Sequence, residues 1–150
     1  SISAGGFGGT GGSGILGPEE YAKMHIGTDN EGRLIDGDLR GRITDHKMYA
    51  KAFNLTVQRQ AEQAKAGQQV GHTASILKYG AAKMNQDRHE LLVEALGTEG
   101  LGWEGEGFDP SAKKVTRQWL RSKGNSIEGG TSEINLNVIS KRVLGLKDHK

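Results

Sequence analysis

Residues 38–66 read DLRGRITDHKMYAKAFNLTVQRQAEQAKA, and this stretch decides the fold. Apolar or weakly polar side chains recur every three or four positions, which is the spacing of one face of an α-helix. The stripe consists of Leu39, Ile43, His46, Ala50, Phe53, Val57, Ala61 and Ala64. Gly67 follows as a typical helix stop. The stretch therefore predicts one long helix from about Asp38 to Ala66.

A second long helix is predicted from about His72 to Leu96, with Gly97 as its stop. Its stripe consists of Ala74, Leu77, Ala81, Met84, Arg88, Leu91 and Ala95. Because the connection to the first helix is short, we expect the two helices to run antiparallel with their stripes facing. The residues expected to be buried by this contact are Phe53, Val57, Leu77 and Met84.

Shorter helices are predicted on both sides of this pair. Pro18 opens one that runs to about Ile26, and Asp109-Pro110 opens another that runs to about Ser122. A last helix begins near Thr131. No segment alternates polar and apolar residues long enough to indicate a strand. The expected fold is all-α, an up-and-down four-helix bundle.

Composition excludes several classes of protein. Hydrophobic residues make up 34% of the chain and the net charge is only +2, with both signs mixed along the sequence. No basic stripe favours nucleic acid. There is no cysteine, which excludes disulfides and fits a cytoplasmic protein. No apolar run approaches the ~20 residues of a membrane span.

The chain divides into two parts. Residues 1–17 form a glycine-rich segment that we expect to be flexible because of this composition. The segment lacks the Gly-Lys-Ser/Thr sequence of a phosphate loop. Residues 18–150 form the predicted helical domain, and 150 residues suit a single domain. The chain begins at Ser1 without Met, which leaves open a fragment, a processed product or a trimmed chain.

The ionisable residues on the apolar stripes do not indicate a metal site. His46 has no second ligand at the i+4 position, Ala50, and we interpret it as a packed or interface histidine. Arg88 is interpreted as a residue at the edge of its stripe, with a buried stem and a solvated head. No other histidine has a recognisable partner, so no metal is predicted.

Residues 126–134 read SIEGGTSEI, and two glycines stand where the last helix begins. A helix start carries unpaired N–H groups and the positive end of the helix dipole, and glycine lets a ligand approach the backbone. The stretch is therefore either an anion or cofactor-phosphate site or an ordinary cap formed by Thr131 or Gly130. The residues alone leave both alternatives open.

The sequence from Ser126 to Leu146, SIEGGTSEINLNVISKRVLGL, closely resembles the C-terminal signature of acyl-CoA dehydrogenases. That family typically has Ser-Ile-x-Gly-Gly-Thr-Ser-Glu-Ile followed by an Arg-x-Leu-Gly-Leu ending. Upstream, residues 38–122 are similar only in their helical pattern. The resemblance implies a C-terminal helical domain of an enzyme of fatty acid metabolism.

The resemblance also implies a cofactor and partners. FAD would lie between this domain, the missing N-terminal and middle domains of the same protein and a neighbouring subunit. Gly130, Thr131 and Glu133 would bind FAD. The full-length flavoprotein would oxidise an acyl-CoA substrate to the 2,3-enoyl-CoA, pass electrons to an acceptor and form a homo-oligomer, whereas the fragment alone would be inactive.

The catalytic base is not assigned. One branch of the family carries a glutamate immediately before the Gly-Thr pair, where this chain has Gly129, and Glu128 lies one residue too early. In another branch the base would fall upstream of Ser1. The alternatives are a non-catalytic subunit of the same fold and an unrelated helical interaction module.

Two further positions depart from the family pattern. The family usually has Arg-x-x-Phe-Gly, whose Arg binds FAD phosphate. The corresponding loop here is Thr28 to Gly37, in which Arg33 would take the place of that Arg. The usual Gln-x-x-Gly-Gly loop is replaced by residues 97–102.

Overall fold

The computed structural model describes residues 14–69 and 71–147 and is built from five α-helices. They are α1 (Pro18–His25), α2 (Gly37–Lys65), α3 (Thr73–Ala95), α4 (Pro110–Ser122) and α5 (Ser132–Val138). Short 3-10 helices cover Gly97–Leu101 and Lys123–Ser126, and α5 continues into a π-helical turn, Ile139–Val143. In these ranges the β structure amounts to one isolated bridge, Thr28 to Leu34. The predicted all-α fold is confirmed.

The helix boundaries follow from local sequence. The Asp36 side chain accepts from the Leu39 N–H at 2.9 Å and caps α2, and Asp109 caps α4 by accepting from the Ser111 N–H at 2.7 Å. Gly67 and Gly97, at the predicted stops, have φ of +72° and +57°. Glycine adopts such angles without a Cβ clash, so both long helices end where the sequence indicates.

Helix α3 is the centre of the bundle, and the other four α-helices all contact it. It runs antiparallel to α2, because Arg42 binds Glu94 near one end of the pair and Phe53 lies against Gly80 farther along. The core cluster comes from α1, the start of α2, the end of α3 and α4, together with Ile15 before α1 and Leu34 before α2. Its largest members with almost no exposure are Leu39, Leu92, Leu96 and Val115.

The expectation that Phe53, Val57, Leu77 and Met84 are buried is wrong. Phe53, Leu77 and Met84 are only partly buried, and Val57 is 39% exposed. The core cluster draws nothing from this end of the α2–α3 pair. Two helices in contact leave the flanks of their stripes in solvent, and a third layer is needed to cover them.

The predicted division at residue 17 stays a prediction. Residues 1–13 lie outside the described residues, as do 148–150. Within the described part of the predicted flexible segment, Ile15 is 9% exposed and belongs to the core cluster.

Candidate cofactor-binding site

The glycine-rich turn before α5 has a left-handed backbone. Gly129 and Gly130 have φ of +66° and +100°, angles that residues with a Cβ rarely adopt. The chain then becomes extended at Thr131, whose Oγ1 accepts from the Ile134 N–H at 3.2 Å and caps the helix. The capping function predicted for Thr131 is therefore present.

The turn also presents unpaired donors. Among the described residues, the backbone N–H groups of Gly129 and Thr131 have no hydrogen-bond acceptor. The N–H groups of the first helical turn, which starts at Ser132, add further donors. Such a row of N–H groups at a helix start suits phosphate or other anionic oxygens, so its donor chemistry fits a cofactor that carries a diphosphate.

Side chains from α5 and α3 donate hydrogen bonds to backbone carbonyls of the turn and of the residues just before it. Asn135 is 9% exposed, and its Nδ2 donates to the carbonyls of Gly130 at 3.1 Å and Thr131 at 2.9 Å. From α3, Lys78 donates through Nζ to the carbonyl of Asn125 at 2.8 Å. Neither Asn135 nor Lys78 was predicted from the sequence. A polar residue at the foot of a glycine turn and a lysine in a helix are common, so neither stands out before the chain is folded.

Glu128 is engaged elsewhere. Its carboxylate pairs with Arg121 at 2.9 Å and accepts from Asn125 Nδ2 at 2.7 Å. The Arg121 hydrogen bond holds the pKa of Glu128 below its usual range. A carboxylate with a lowered pKa is a weaker proton acceptor, which agrees with the expectation that Glu128 does not replace the base absent at Gly129.

The comparisons with known proteins agree with this architecture. Residues 21–144 match the family model described as the acyl-CoA dehydrogenase C-terminal domain. The chain belongs to the acyl-CoA dehydrogenase family. The alternative of an unrelated helical module is therefore wrong.

A solved structure shares the fold of this acyl-CoA dehydrogenase domain. It is a chain in the crystal structure of the ChsE4-ChsE5 complex from Mycobacterium tuberculosis, with a TM-score of 0.63 and 20% identity. The match covers 89% of this chain and 36% of that chain, so the present chain corresponds to about a third of that length. No curated protein matches the chain.

The predicted FAD-binding residues of the acyl-CoA dehydrogenase domain occupy one short segment. Gly130 and Thr131 form the turn itself, and both are partly buried. Glu133 lies in the first turn of α5 and is exposed. A carboxylate there is suited to accept from hydroxyl groups and is repelled by phosphate. FAD binding by Gly130, Thr131 and Glu133 remains a prediction.

Arg33, the substitute for the family's phosphate-binding arginine, is already paired. Its Nε lies 2.9 Å from Asp29 and its Nη2 lies 3.1 Å from Glu31. It lines a cleft of about 270 Å³ with Arg40. Two carboxylates already neutralise the charge that Arg33 would offer to a phosphate.

The loop that departs from the family pattern at 97–102 is tightly packed. A Cβ on Gly100 would lie 2.5 Å from the Val93 carbonyl oxygen, and one on Gly102 would lie 2.4 Å from Phe108 Cγ. Thr116 of α4 donates to the Gly100 carbonyl at 3.0 Å. These glycines allow the loop to approach α3 and α4 closely, which accounts for them without a ligand.

His46 is half-buried in a cleft of about 390 Å³ between α2 and α3. Burial lowers the pKa of His46, and the nearby Arg88 charge acts in the same direction against the opposing charge of Asp87. Across residues 14–69 and 71–147, no three His, Cys, Asp or Glu side chains are grouped to hold a metal. No helix of this described part combines the length and apolar character that crossing a membrane requires.

Proposed function

We propose that this chain is the C-terminal domain of an FAD-dependent acyl-CoA dehydrogenase and that it contributes Gly130, Thr131 and Glu133 to FAD binding. The full-length protein would oxidise an acyl-CoA thioester to the 2,3-enoyl-CoA. The cofactor supplies the redox chemistry, because flavin accepts the hydride. This chain supplies hydrogen-bond donors for the cofactor, part of the surface that encloses it and contacts with other domains. It is inactive alone.

The left-handed Gly129-Gly130 turn carries the proposal. The backbone N–H groups of Gly129 and Thr131, which have no acceptor in the described chain, stand next to a capped helix start. An ordinary cap needs only the Thr131 hydroxyl. Two left-handed glycines and the extra free donors exceed that need, and they suit a cofactor that approaches the backbone.

The partners of this domain are proposed from its surface. Residues 127–147, the last twenty-one described, carry six large apolar side chains, each at least 44% exposed. They are Ile127, Ile134, Leu136, Val143, Leu144 and Leu146. Exposed apolar surface of this extent marks an interface. We assign this surface to contacts with the missing N-terminal and middle domains and with further copies in a homo-oligomer. We also propose that the full-length protein is cytoplasmic and passes electrons to a separate acceptor.

A second candidate is a non-catalytic subunit of the same family. Gly129 occupies one family position of the base and has a φ of +66°. A Cβ there would also lie 3.3 Å from Cε of Lys78. A glutamate at 129 would therefore be strained, which favours either a base elsewhere in the full-length protein or no base in this subunit.

Purification of the full-length protein tests both candidates. The enzyme should carry about one FAD per subunit by absorbance, and acyl-CoA added without oxygen should bleach the flavin. Bound flavin that no acyl-CoA bleaches would favour the non-catalytic subunit. Absence of flavin, with no uptake of added FAD, would contradict the FAD function of the domain.

A further inference from the structure

We propose that Asn135 is a positioning residue for FAD, because its side chain sets the direction of the N–H groups in the Gly130-Thr131 turn. This inference rests on the proposed function of that turn. Asn135 itself does not touch the cofactor. It lies behind the turn, in the first part of α5, and is 9% exposed.

Peptide geometry links the direction of each carbonyl in the turn to the direction of the next N–H group. In a trans peptide the C=O and the N–H point in opposite directions, and no cis bond occurs in the described chain. The Gly130 carbonyl shares its peptide with the Thr131 N–H, and the Thr131 carbonyl shares its peptide with the Ser132 N–H. Both carbonyls accept from Asn135 Nδ2, at 3.1 and 2.9 Å. The two N–H groups are therefore directed away from Asn135.

The backbone alone does not fix this direction. Gly130 has φ of +100°, and glycine passes between left- and right-handed regions at low cost. The Gly130-Thr131 peptide can therefore rotate unless something holds its carbonyl. The Thr131 carbonyl has a second donor, the Asn135 backbone N–H at 3.0 Å. For the Gly130 carbonyl, the one donor within the described residues is the Asn135 side chain.

The test uses the full-length protein, stripped of flavin, with three variants. Asn135→Asp replaces the donor with a carboxylate that repels both carbonyls. Asn137→Asp is the matched control, because it adds the same charge to the same helix at an exposed position. Asn135→Ala removes the donor without adding charge. The measurements are the FAD dissociation constant by fluorescence, the melting temperature of the apoprotein and amide exchange of the 126–134 peptide.

Asn135→Asp should weaken FAD binding by about tenfold or more relative to Asn137→Asp, and Asn135→Ala by about fivefold. Amide exchange in the turn should accelerate in both Asn135 variants. If Asn135→Asp does not fold, Asn135→Ala decides the result.

Two outcomes would overturn the inference, and they differ. A lower melting temperature with FAD affinity within about twofold of the parent would make Asn135 a purely structural residue and leave the proposed function intact. A parent protein that takes up no FAD would overturn the proposed function, and the positioning function with it.

Discussion

The two ends of the α2–α3 pair carry the same kind of apolar stripe but differ in burial. At one end the stripe residues Leu39 and Ala95 have no exposed surface, while toward the other end Val57 is 39% exposed. Both ends have helical spacing and similar residue types. The difference lies in their neighbours, because α1 and α4 supply core residues only to the first end.

The exposed end of the α2–α3 pair, around Val57 and Leu77, is called the open end, and it also lies beside the candidate site. Lys78, in the first half of α3, reaches the turn that carries Gly129. A site that must meet a cofactor and other domains needs surface that the domain's own helices leave uncovered, and functional segments are commonly drawn from the less stable part of a fold. We therefore connect the incomplete core at this end with the function proposed for the turn.

The largest expected loss of stability comes from a change at the buried end of the α2–α3 pair, around Leu39 and Leu92, which we call the closed end. Leu92→Ala should cost about 2–5 kcal/mol of unfolding free energy, because it leaves a cavity at a fully buried position. Leu77→Ala, the same change on the stripe at the open end, should cost less, about 1–2 kcal/mol, because this side chain is only partly buried. Urea unfolding of the 150-residue chain measures both. Equal costs would show that the two ends are packed alike.

The second prediction tests the contact in the middle of the pair. A Cβ on Gly80 would lie 3.1 Å from Phe53 Cε2 and 3.2 Å from Tyr49 Oη. Gly80→Val should therefore separate the helices and cost about 1–3 kcal/mol.

Gly41→Val is the control for this change, since a Cβ at Gly41 meets nothing within 4 Å. It should be neutral or slightly stabilising, because valine is a better helix former than glycine. A harmless Gly80→Val would mean that Phe53 moves aside freely.

The third prediction concerns Thr131, at the site beside the open end. Thr131→Val keeps the shape but removes the hydroxyl that caps α5, which should cost roughly 1 kcal/mol of stability. If the hydroxyl also contacts FAD, retention of FAD should fall by about tenfold. Flavin stoichiometry and melting temperature are measured on one preparation of full-length protein. A lower melting temperature with full flavin would leave Thr131 as a cap only.

The smallest effect is expected from an ion pair at the closed end. Hydrogen bonds from Lys23 and Lys47 lower the pKa of Glu19 to about 2. Because the folded-state pKa lies below the unfolded one, the stabilisation is present above about pH 4.5 and is lost as the pH falls toward about 2. The pairs are solvent-accessible, so the contribution is at most about 1 kcal/mol.

Glu19→Gln should therefore destabilise the chain slightly at pH 7 and flatten the loss of stability between about pH 4.5 and 2. Melting curves at several pH values measure this. An unchanged acid profile would assign the acid sensitivity to other carboxylates, such as Asp109, whose pKa is also lowered, mainly by its hydrogen bond with Ser111.

The local features of the fold were predictable from the sequence because they depend on neighbouring residues. Asp36, Gly67, Gly97 and Asp109 mark helix ends through caps and left-handed glycines, and those interactions span only a few positions. The Thr131 cap was predictable for the same reason. The family resemblance likewise rested on one continuous stretch of about twenty residues, and the family match confirmed it.

Burial and the support of the site were decided by tertiary structure. Periodicity identified the stripe that holds both Leu39 and Phe53, but only the positions of α1 and α4 determine which of them loses contact with water. Glu128 pairs with Arg121, seven residues away, and Lys78 reaches Asn125, 47 residues away. The sequence by itself therefore determined the helices, their ends and the family. Which side chains form the core and which hold the glycine turn depends on contacts between distant residues that exist only once the chain is folded.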